Sequence, residues 1–340
     1  MVLLSSAVAA QTPQPRPQAG DDSTYPTVNV GVLTYIQYDA ELMNRDGYNA
    51  FDITRGYVNI SGILAKNVRF RMTPDVRRVT DGSLSGSLAF RMKYAFAEFD
   101  NVLGHGSWVR VGLHQTPWLD FEESINRYRV QGQMFAEREG VIPGSADFGA
   151  GVLTPLPGGY GEINAGVYNG EGFGSAEINK DKSLQARATL RPFPRARLLK
   201  GLRVSGFYDA GRYAAGYPRR HGIVMASFEH PHLAATAQWL SGTDRPITRM
   251  TGAHLRGASA FAEVRQGQEG WAVFARADEF DPDTAISNNS DRRLIVGMAY
   301  WLLWAKSRVG LVLDDENLRY DRGRQRPDEN RILFQMQVQF

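Results

Sequence analysis

The sequence predicts an all-β protein, a transmembrane antiparallel β-barrel of about 16 strands. Three observations lead to this prediction. Apolar and polar residues alternate with a period of two over segments of about ten residues that end in turn residues. Phe, Tyr and Trp number 17, 14 and 6, and Gly numbers 35, in a chain of 340 residues. This composition favours strands and tight turns. The polar side of the segments is rich in arginine, glutamine and asparagine rather than lysine.

The alternating segments can be placed along the whole chain after residue 26. The first five cover residues 27–39, 55–64, 67–72, 88–99 and 108–113. Residues 116–144 then interrupt the pattern, because they do not alternate and are too long for a turn. The later segments cover residues 147–154, 160–169, 182–192, 201–210, 221–230, 232–241, 256–266, 270–279, 292–302, 307–317 and 329–340. No internal repeat or change in composition divides them, so we expect one domain over residues 27–340.

The length of the segments and the arginine-rich composition of their polar face distinguish a membrane barrel from a soluble β-sandwich. A membrane-spanning strand needs about 9–11 residues, whereas strands of soluble sheets are usually about five or six residues long. The final "RILFQMQVQF" places Ile332, Phe334, Met336, Val338 and Phe340 on one face and glutamines on the other. In a closed barrel the apolar face lies against lipid and the glutamines line a wet lumen. No run of about 18 apolar residues is present, so the sequence predicts no membrane-spanning helix.

Large aromatic residues near the ends of the segments support the same fold class. In a membrane barrel, aromatic residues form two girdles at the lipid–water interfaces. The residues predicted for these girdles are Tyr35, Tyr38, Trp108, Trp118, Trp239, Trp271, Trp301 and Trp304.

The beginning of the chain predicts export. Residues 1–10, "MVLLSSAVAA", are apolar and end in small residues, as the last part of a secretory signal peptide does, although no basic region precedes them. The alternative is an apolar N-terminus without fixed structure. Residues 11–26 are rich in Pro and Gln and are expected to form a flexible leader. With a barrel downstream, the expected location is the bacterial outer membrane.

Six basic residues are the main candidates for a functional site. Arg55, Arg69, Arg71, Arg91, Lys93 and Arg110 fall on the polar faces of neighbouring predicted strands. In a barrel they line one wall of the lumen, where positive charge lowers the entry barrier for anions. The competing interpretation is that several of them pair with carboxylates and hold the 116–144 segment in place. The candidate carboxylates are Glu98, Asp120, Glu122 and Glu123. Arg127 and Arg129, on the segment itself, are further candidates for the pore lining.

Other kinds of site find little support. The absence of cysteine excludes disulfides, iron–sulfur clusters and thiolate zinc sites. "HPH" at 230–232 lacks the further ligands of a metal site, and "GEGFGS" at 170–175 lacks the Gly-Lys-Ser/Thr ending of a phosphate-binding loop. We therefore expect no metal and no cofactor. Arginine supplies 33 of the 39 basic residues, and the net charge is +3. These arginines are scattered rather than grouped, so no nucleic-acid partner is expected.

Several short segments between residues 50 and 175 form a recognisable set. They are "ITRGYVNISGIL", "VRFRM", "YAFAEFD", "WVRVGLHQTPW", "MFAEREGVIPGSADFGAGV" and "AGVYNGEGFG". Together they resemble the phosphate-selective porin O/P family of bacterial outer-membrane porins. The resemblance implies a trimeric channel of about 16 strands whose long third extracellular loop folds inward as a constriction loop. Residues 116–144 occupy that position.

The resemblance also implies an arginine-lined pore with lysines clustered at its constriction. This sequence departs from that pattern, because no lysine lies between Lys93 and Lys180. The expected preference is therefore a mild one for anions such as phosphate, without high affinity.

The expected function is passive diffusion of small hydrophilic solutes through a homotrimeric porin surrounded by outer-membrane lipid. Two alternatives stay open. A barrel enzyme needs a nucleophile or an activated water with a His and an orienting partner, and no such set is recognisable in the sequence. A structural or docking component of a surface complex would co-purify with a stoichiometric partner and give no single-channel current.

Overall fold

The computed structural model describes residues 25–44, 47–80, 82–214, 216–245, 251–304 and 306–340. The predicted signal-peptide remnant at residues 1–10 lies outside these ranges, and so does the predicted leader at residues 11–26 except for Tyr25 and Pro26.

The described residues form sixteen antiparallel strands, which confirms the predicted fold class. They are β1 (Thr27–Met43), β2 (Asn49–Ala65), β3 (Val68–Arg78), β4 (Leu88–Asp100), β5 (Trp108–Gln115), β6 (Ala146–Pro155), β7 (Gly161–Tyr168), β8 (Ser183–Leu190), β9 (Leu202–Ala214), β10 (Tyr217–His230), β11 (Leu233–Asp244), β12 (Ala253–Arg265), β13 (Gly270–Asp281), β14 (Asp291–Trp304), β15 (Ser307–Tyr320) and β16 (Glu329–Gln339). Two short helices, α1 (Leu119–Ile125) and α2 (Phe135–Arg138), lie between β5 and β6. Neither of these helices is long and apolar enough to span a membrane.

The sheet closes on itself. Each strand pairs with its neighbours in sequence, and β1 pairs with β16. At the seam, the Val32 N–H donates to the Phe340 carbonyl at 2.9 Å, and the Phe340 N–H donates to the Val32 carbonyl at 3.1 Å. A closed sheet leaves no row of unpaired backbone groups at an edge, which is the condition for a sheet to lie in hydrocarbon.

The two faces of the barrel differ as the alternation predicts. In β16, Ile332 and Phe334 are 40% and 47% exposed, whereas Leu333 and Gln335 are 1% and 0% exposed. Exposed apolar residues also occupy outward positions near the middle of the neighbouring strands, for example Leu313 in β15. An even-stranded closed barrel with an apolar exterior and a polar interior is the architecture of bacterial outer-membrane proteins. The protein is therefore an outer-membrane barrel.

The two ends of the barrel have connections of different length. At the turn end, β2 and β3 are joined by residues 66–67, and β10 and β11 by residues 231–232. At the loop end, the connections include residues 79–87, 116–145, 169–182, 282–290 and 321–328. Outer-membrane barrels have short periplasmic turns and longer extracellular loops, so the loop end is the extracellular end.

Half of the residues predicted for the aromatic girdles face outward. Trp239, Trp271 and Trp304 are exposed on the outside, and Tyr38 packs on the exposed Phe51 with ring centroids 4.8 Å apart. The prediction was wrong for the other four, which are buried: Tyr35, Trp108, Trp118 and Trp301. Proximity to a strand end does not decide which face a side chain occupies. These four lie on inward positions or on the segment inside the barrel.

A β-bulge in β4 changes which of its residues face the lumen. Thr73 of β3 lies opposite Tyr94, and the next residue, Pro74, lies opposite Met92, so Lys93 is left without a partner. Both Lys93 and Tyr94 are consequently buried, at 1% and 3% exposure. Because proline has no N–H to donate to the ladder, an interruption of the strand pairing beside it loses few backbone hydrogen bonds.

The bulge reverses the predicted facing of the second half of β4. The sequence pattern places Tyr94 and Phe96 on the face opposite Arg91 and Lys93. That prediction was wrong, because one extra residue shifts the alternation by one position. Phe96 lies beneath the inward Arg110, whose guanidinium carbon is 4.9 Å from the ring centroid.

Residues 116–145 form the inner loop, which folds into the barrel as predicted. Its fully buried side chains are Trp118, Leu119, Ile125, Met134, Phe135 and Ala136. They pack against inward side chains of β9–β13, including Phe207, Ile223, Leu240 and Phe280. The hydrophobic core is thus the contact between the inner loop and this side of the barrel, and the β2–β5 wall lies on the other side of the loop.

Candidate pore wall and inner loop

The six basic residues predicted for the lumen wall lie on four adjacent strands. Arg55 is in β2, Arg69 and Arg71 are in β3, Arg91 and Lys93 are in β4, and Arg110 is in β5. The pairing order β2–β3–β4–β5 brings them together on one stretch of the wall. Alternation alone places most of them inward. Because of the bulge, Lys93 and Tyr94 both face inward as well.

Three of the six basic residues are paired with carboxylates. The pairs are Arg69 with Asp100 (2.8 Å), Arg91 with Asp75 (3.1 Å) and Arg110 with Glu98 (2.6 Å). Each pair joins residues of the same or neighbouring strands. These pairs lie within the wall itself: only Glu98 is among the carboxylates named from the sequence, and none of the three pairs holds the 116–144 segment.

The other three basic residues, Arg55, Arg71 and Lys93, have no carboxylate at ion-pair distance among the described residues. Arg71 donates to the neutral Asn59 (2.7 Å) and Thr73 (3.0 Å) side chains. Lys93 donates to the Tyr57 hydroxyl. The Arg55 Nη1 atom is buried without a hydrogen-bond acceptor in the part of the chain that the structure describes.

Aromatic rings separate these three cations. The Tyr57 ring centroid is 5.1 Å from the Arg55 guanidinium and 4.9 Å from the Lys93 ammonium. The Tyr94 ring centroid is 5.5 Å from Lys93 and 4.4 Å from Arg71. A cation over a ring face is stabilised by about 0.5–2 kcal/mol. The rings therefore stabilise like charges close together without neutralising them.

Glu263 of β12 is the main anchor of the inner loop. Its buried carboxylate accepts hydrogen bonds from Arg127 (2.7 Å), from the Tyr128 hydroxyl (2.7 Å) and from Arg265 (2.8 Å). The Arg127 guanidinium also lies 4.5 Å from the Trp301 ring centroid. This carboxylate sits at an inward position of "FAEVR" (261–265) that alternation assigns to the lumen. Nothing local in the sequence shows that two of its partners, Arg127 and Tyr128, are more than a hundred residues away.

Arg129 holds the inner loop together from within. Its guanidinium lies 2.7 Å from Glu123 and 2.5 Å from Glu137. Arg127 and Arg129 are 4% and 3% exposed. The structure therefore places both in contacts that fix the loop, away from the open lumen, and Glu123 pairs inside the loop rather than with the wall.

Glu122 joins α1 to the far side of the barrel. It accepts hydrogen bonds from Gln238 of β11 (2.6 Å) and from the Trp118 indole (3.0 Å). Burial raises the pKa of this loop carboxyl to about 7, against the lowering effect of the nearby Arg276 cation and the two hydrogen bonds. The nearby Asp278 carboxylate adds to the rise in pKa.

Asp120 is the candidate carboxylate that faces the wall across the lumen. It is exposed, in contrast to its loop neighbours Glu122 and Glu123. Its charge interacts with Arg71 of β3. The lumen therefore has a basic side on β2–β5 and an acidic residue on the inner loop.

A buried serine–aspartate–histidine group lies on β8–β10 and merits comparison with a catalytic triad. Ser183 donates to Asp209, and the His221 Nδ1 atom is 3.6 Å from the same carboxylate, which also binds Arg219. Nucleophilic catalysis requires the hydroxyl to contact the imidazole that removes its proton. Here the hydroxyl contacts the carboxylate, and the group fastens neighbouring strands.

The "HPH" segment forms the turn between β10 and β11. The His230 and His232 ring centroids are 5.6 Å apart. The His232 N–H donates to the His230 Nδ1 atom at 3.3 Å, and Arg265 donates to the Pro231 and His230 carbonyls. The described residues contain no group of three or more His, Asp or Glu side chains placed to hold a metal ion.

Comparison with known proteins identifies the architecture. No protein-family model matches the chain, and no curated protein does. Among solved structures, the anion-selective porin from Comamonas acidovorans has a TM-score of 0.64 at 11% identity, over 93% of this chain and 100% of that one. OmpF of Salmonella typhi gives 0.63 at 9% identity, over 93% and 98% of the two chains. OmpT of Vibrio cholerae, in trimer form, gives 0.62 at 9% identity, over 93% and 99%.

The chain has the porin fold. Sequence identities of 11% and 9% to these porins show a shared fold. They do not show membership in the porin O/P family that the short segments resemble. In this porin barrel, the exposed Asp120 of the inner loop lies near enough to the β2–β5 wall for its charge to interact with Arg71.

Proposed function

We propose that the protein is a porin, a water-filled channel for passive diffusion of small hydrophilic solutes, with a modest preference for anions such as phosphate. The observation that carries the proposal is that two wall arginines, Arg55 and Arg71, have no carboxylate at ion-pair distance among the described residues, whereas the neighbouring Lys93 is buried against Tyr57. The porin fold supports the channel, and the unpaired cations support the sign of the preference.

The size of the preference follows from how the charges are arranged. An arginine beside its carboxylate presents a short dipole whose field falls off quickly, whereas an unpaired cation attracts anions over a Debye length of roughly 8–10 Å at moderate salt. Loop carboxylates oppose this attraction: the charge of Asp120 interacts with Arg71, and the charges of Glu123 and Glu137 interact with Arg55. We therefore expect a preference of a few-fold rather than exclusion of cations.

The test is the reversal potential of the protein in planar bilayers under a KCl gradient. We expect wild-type protein to favour chloride, and Arg55→Gln with Arg71→Gln to reduce that preference. The control, Arg91→Gln with Asp75→Asn, removes a cation and its carboxylate together and should leave the preference nearly unchanged. Cation preference in the wild type would contradict the proposed selectivity. Absence of channel steps together with a stoichiometric partner would support a docking component instead.

We also propose that the barrel assembles as a homotrimer. One structural neighbour, OmpT of Vibrio cholerae, is described in a trimer form. The outward positions near the loop ends of β2, β4 and β6 are large and apolar, with Phe51, Phe90 and Phe148 exposed, and they offer a surface for packing another copy. The mass of the detergent complex by light scattering, corrected for detergent, should equal three chains, and a mass of one chain would refute the trimer.

A further inference from the structure

A belt of arginines lies on the outward face of the barrel near the loop end. The belt consists of Arg220, Arg256, Arg292 and Arg319, one each on β10, β12, β14 and β15. The side chains of Arg256, Arg292 and Arg319 are 58%, 64% and 50% exposed. An outward arginine costs about 2–4 kcal/mol at the bilayer midplane but only about 0–1 near the interface. The belt is thus placed at the depth of the outer-leaflet headgroups.

The belt is confined to one sector of the barrel wall. Near the loop ends of β2, β4, β6 and β8, exposed outward positions are apolar. These residues are Phe51, Phe90, Phe148 and Leu184. Large apolar side chains therefore predominate outside the belt, where Arg78 of β3 is an exposed exception.

Arg292 and Arg319 form the focus of the belt because they lie directly opposite each other in the β14–β15 ladder. Like charges in this position are destabilising unless something compensates them. The nearest carboxylates lie on the outer flanks of the pair: Glu279 is 3.4 Å from Arg292 on the β13 side, and Asp328 is 2.9 Å from Arg319 on the β16 side. Exposed ion pairs of this kind contribute about 0–1 kcal/mol, so the guanidinium groups can turn toward a stronger ligand.

An apolar groove begins on the same strands, closer to the middle of the bilayer. It has a volume of about 680 Å³, and its outward lining includes Val296, Met298, Leu313 and Ile332. The small Ala262 and Ala275 side chains also line it. A groove of this kind on a lipid-facing wall fits an acyl chain. An apolar lining offers no hydrogen bonds to water or to a polar ligand, whereas it contacts an apolar chain favourably.

We propose that Arg292 and Arg319 bind the phosphate of an outer-leaflet lipid whose acyl chain lies in this groove. Guanidinium groups bind phosphate oxygens bidentately, and two of them facing one site match a phosphate with more than one free oxygen. Occupation by the phosphate offsets the repulsion between the opposed arginines. The groove supplies the second half of the site, which a free phosphate ion leaves unused.

Asp315 sets the depth of the phosphate. It lies outward on β15 and lines the groove, four residues from Arg319 and about 13 Å away along the strand toward the middle of the membrane. Its carboxylate accepts a hydrogen bond from Asn330 at 3.3 Å. A second anion near this carboxylate would be repelled, so the phosphate stays at the Arg292–Arg319 row while only the acyl chain passes Asp315.

The experiment compares two lipids that differ only in the phosphate. Purified full-length protein in detergent is titrated with phosphatidic acid or with the diacylglycerol of the same chains, and bound lipid is counted by native mass spectrometry. We expect phosphatidic acid to bind at least tenfold more tightly than diacylglycerol. Arg292→Gln with Arg319→Gln should abolish the difference, and Arg292→Lys with Arg319→Lys should retain part of it.

The matched control is Arg195→Gln with Arg197→Gln, which removes two exposed arginines at the turn end. It should bind phosphatidic acid as the wild type does. Correct folding of each variant is checked by its heat-dependent migration on gels and by unchanged single-channel conductance, since the belt lies outside the lumen. Equal phosphatidic acid binding by the belt variant and the control would overturn the proposal. Displacement of the lipid by equimolar glycerol 3-phosphate would overturn it as well, because the acyl chain would then contribute nothing.

Discussion

The carboxylate of Glu263 illustrates how much of the inner loop depends on one residue. It is fully buried and accepts hydrogen bonds from two arginines and a tyrosine. Its removal leaves the Arg127 and Arg265 guanidinium groups buried without their anion, which costs more than the loss of any one hydrogen bond.

We predict that Glu263→Gln lowers the free energy of unfolding by about 3–5 kcal/mol, because two buried cations lose their counter-charge. Tyr128→Phe, which removes a single neutral donor to the same carboxylate, should cost only about 1 kcal/mol. Urea unfolding of the refolded protein, followed by tryptophan fluorescence, measures both. Similar losses in the two variants would show that charge compensation is not what fixes the loop.

Glu122 makes the docking of α1 depend on pH. Its pKa is raised from 4.5 to about 7 by burial in the docked loop, so the docked state holds the proton more tightly than a detached loop does. The free energy of docking is therefore most favourable at low pH and becomes less favourable as pH rises from about 4.5 to about 7. Above that range it no longer depends on pH.

Hydrogen exchange of the α1 amides tests this dependence. We predict greater protection at pH 5 than at pH 8 in the wild type, after correction for intrinsic exchange, and little difference in Glu122→Gln. The glutamine keeps an oxygen that accepts from Gln238 but cannot ionise, so this variant should also be better protected than the wild type at pH 8. If the wild type and the variant respond to pH alike, Glu122 is not the group responsible.

At the level of single strands, the bulge at Lys93 decides which residues line the lumen. The chain has no cysteine, so a single introduced thiol reports its own surroundings. We predict that Phe96→Cys reacts with a charged, water-soluble thiol reagent, whereas Ala97→Cys reacts only with a lipid-soluble one. Arg91→Cys and Phe90→Cys, which precede the bulge, serve as inward and outward references. The opposite result at positions 96 and 97 would mean that β4 alternates without interruption.

The same strand shows what could be predicted from sequence and what could not. Period-two alternation is local, so it predicts the sixteen strands, the closed barrel and the inward facing of Arg69, Arg71 and Arg110. Pro74 was the available signal for the bulge, but a proline alone does not show on which neighbouring strand the extra residue falls. The face of Tyr94 therefore required the register of β3 against β4.

The inner loop was predictable in position but not in its contacts. Its place between β5 and β6 follows from the break in alternation at residues 116–144. The partners of Arg127 and Arg129 do not, because Glu263 lies far away in sequence and Glu137 is one of several acidic residues on the loop. Local patterns identify which residues are charged, whereas only the folded chain shows which charges cancel.

For the molecule as a whole, the decisive property is the difference in polarity between the apolar outside and the wet inside of the closed sheet. Leu313 of β15 and Gln37 of β1 allow it to be tested at one depth. Val312 lies opposite Gln335, which in turn lies opposite Gln37, so Leu313 is one residue away from the level of Gln37. Leu313 faces outward and is exposed, whereas Gln37 faces the lumen and contacts Gln335.

We predict that Leu313→Arg destabilises the barrel in lipid vesicles by about 2–4 kcal/mol, because a guanidinium near the bilayer midplane loses its hydration. Gln37→Arg adds the same charge at nearly the same depth on the wet side and should change the free energy of unfolding by less than about 1 kcal/mol. Equilibrium unfolding in urea, with the protein inserted in vesicles, measures the difference. Equal destabilisation by the two substitutions would contradict an apolar exterior and a hydrated lumen, whereas a large difference would support both the membrane-spanning barrel and the orientation of its strands.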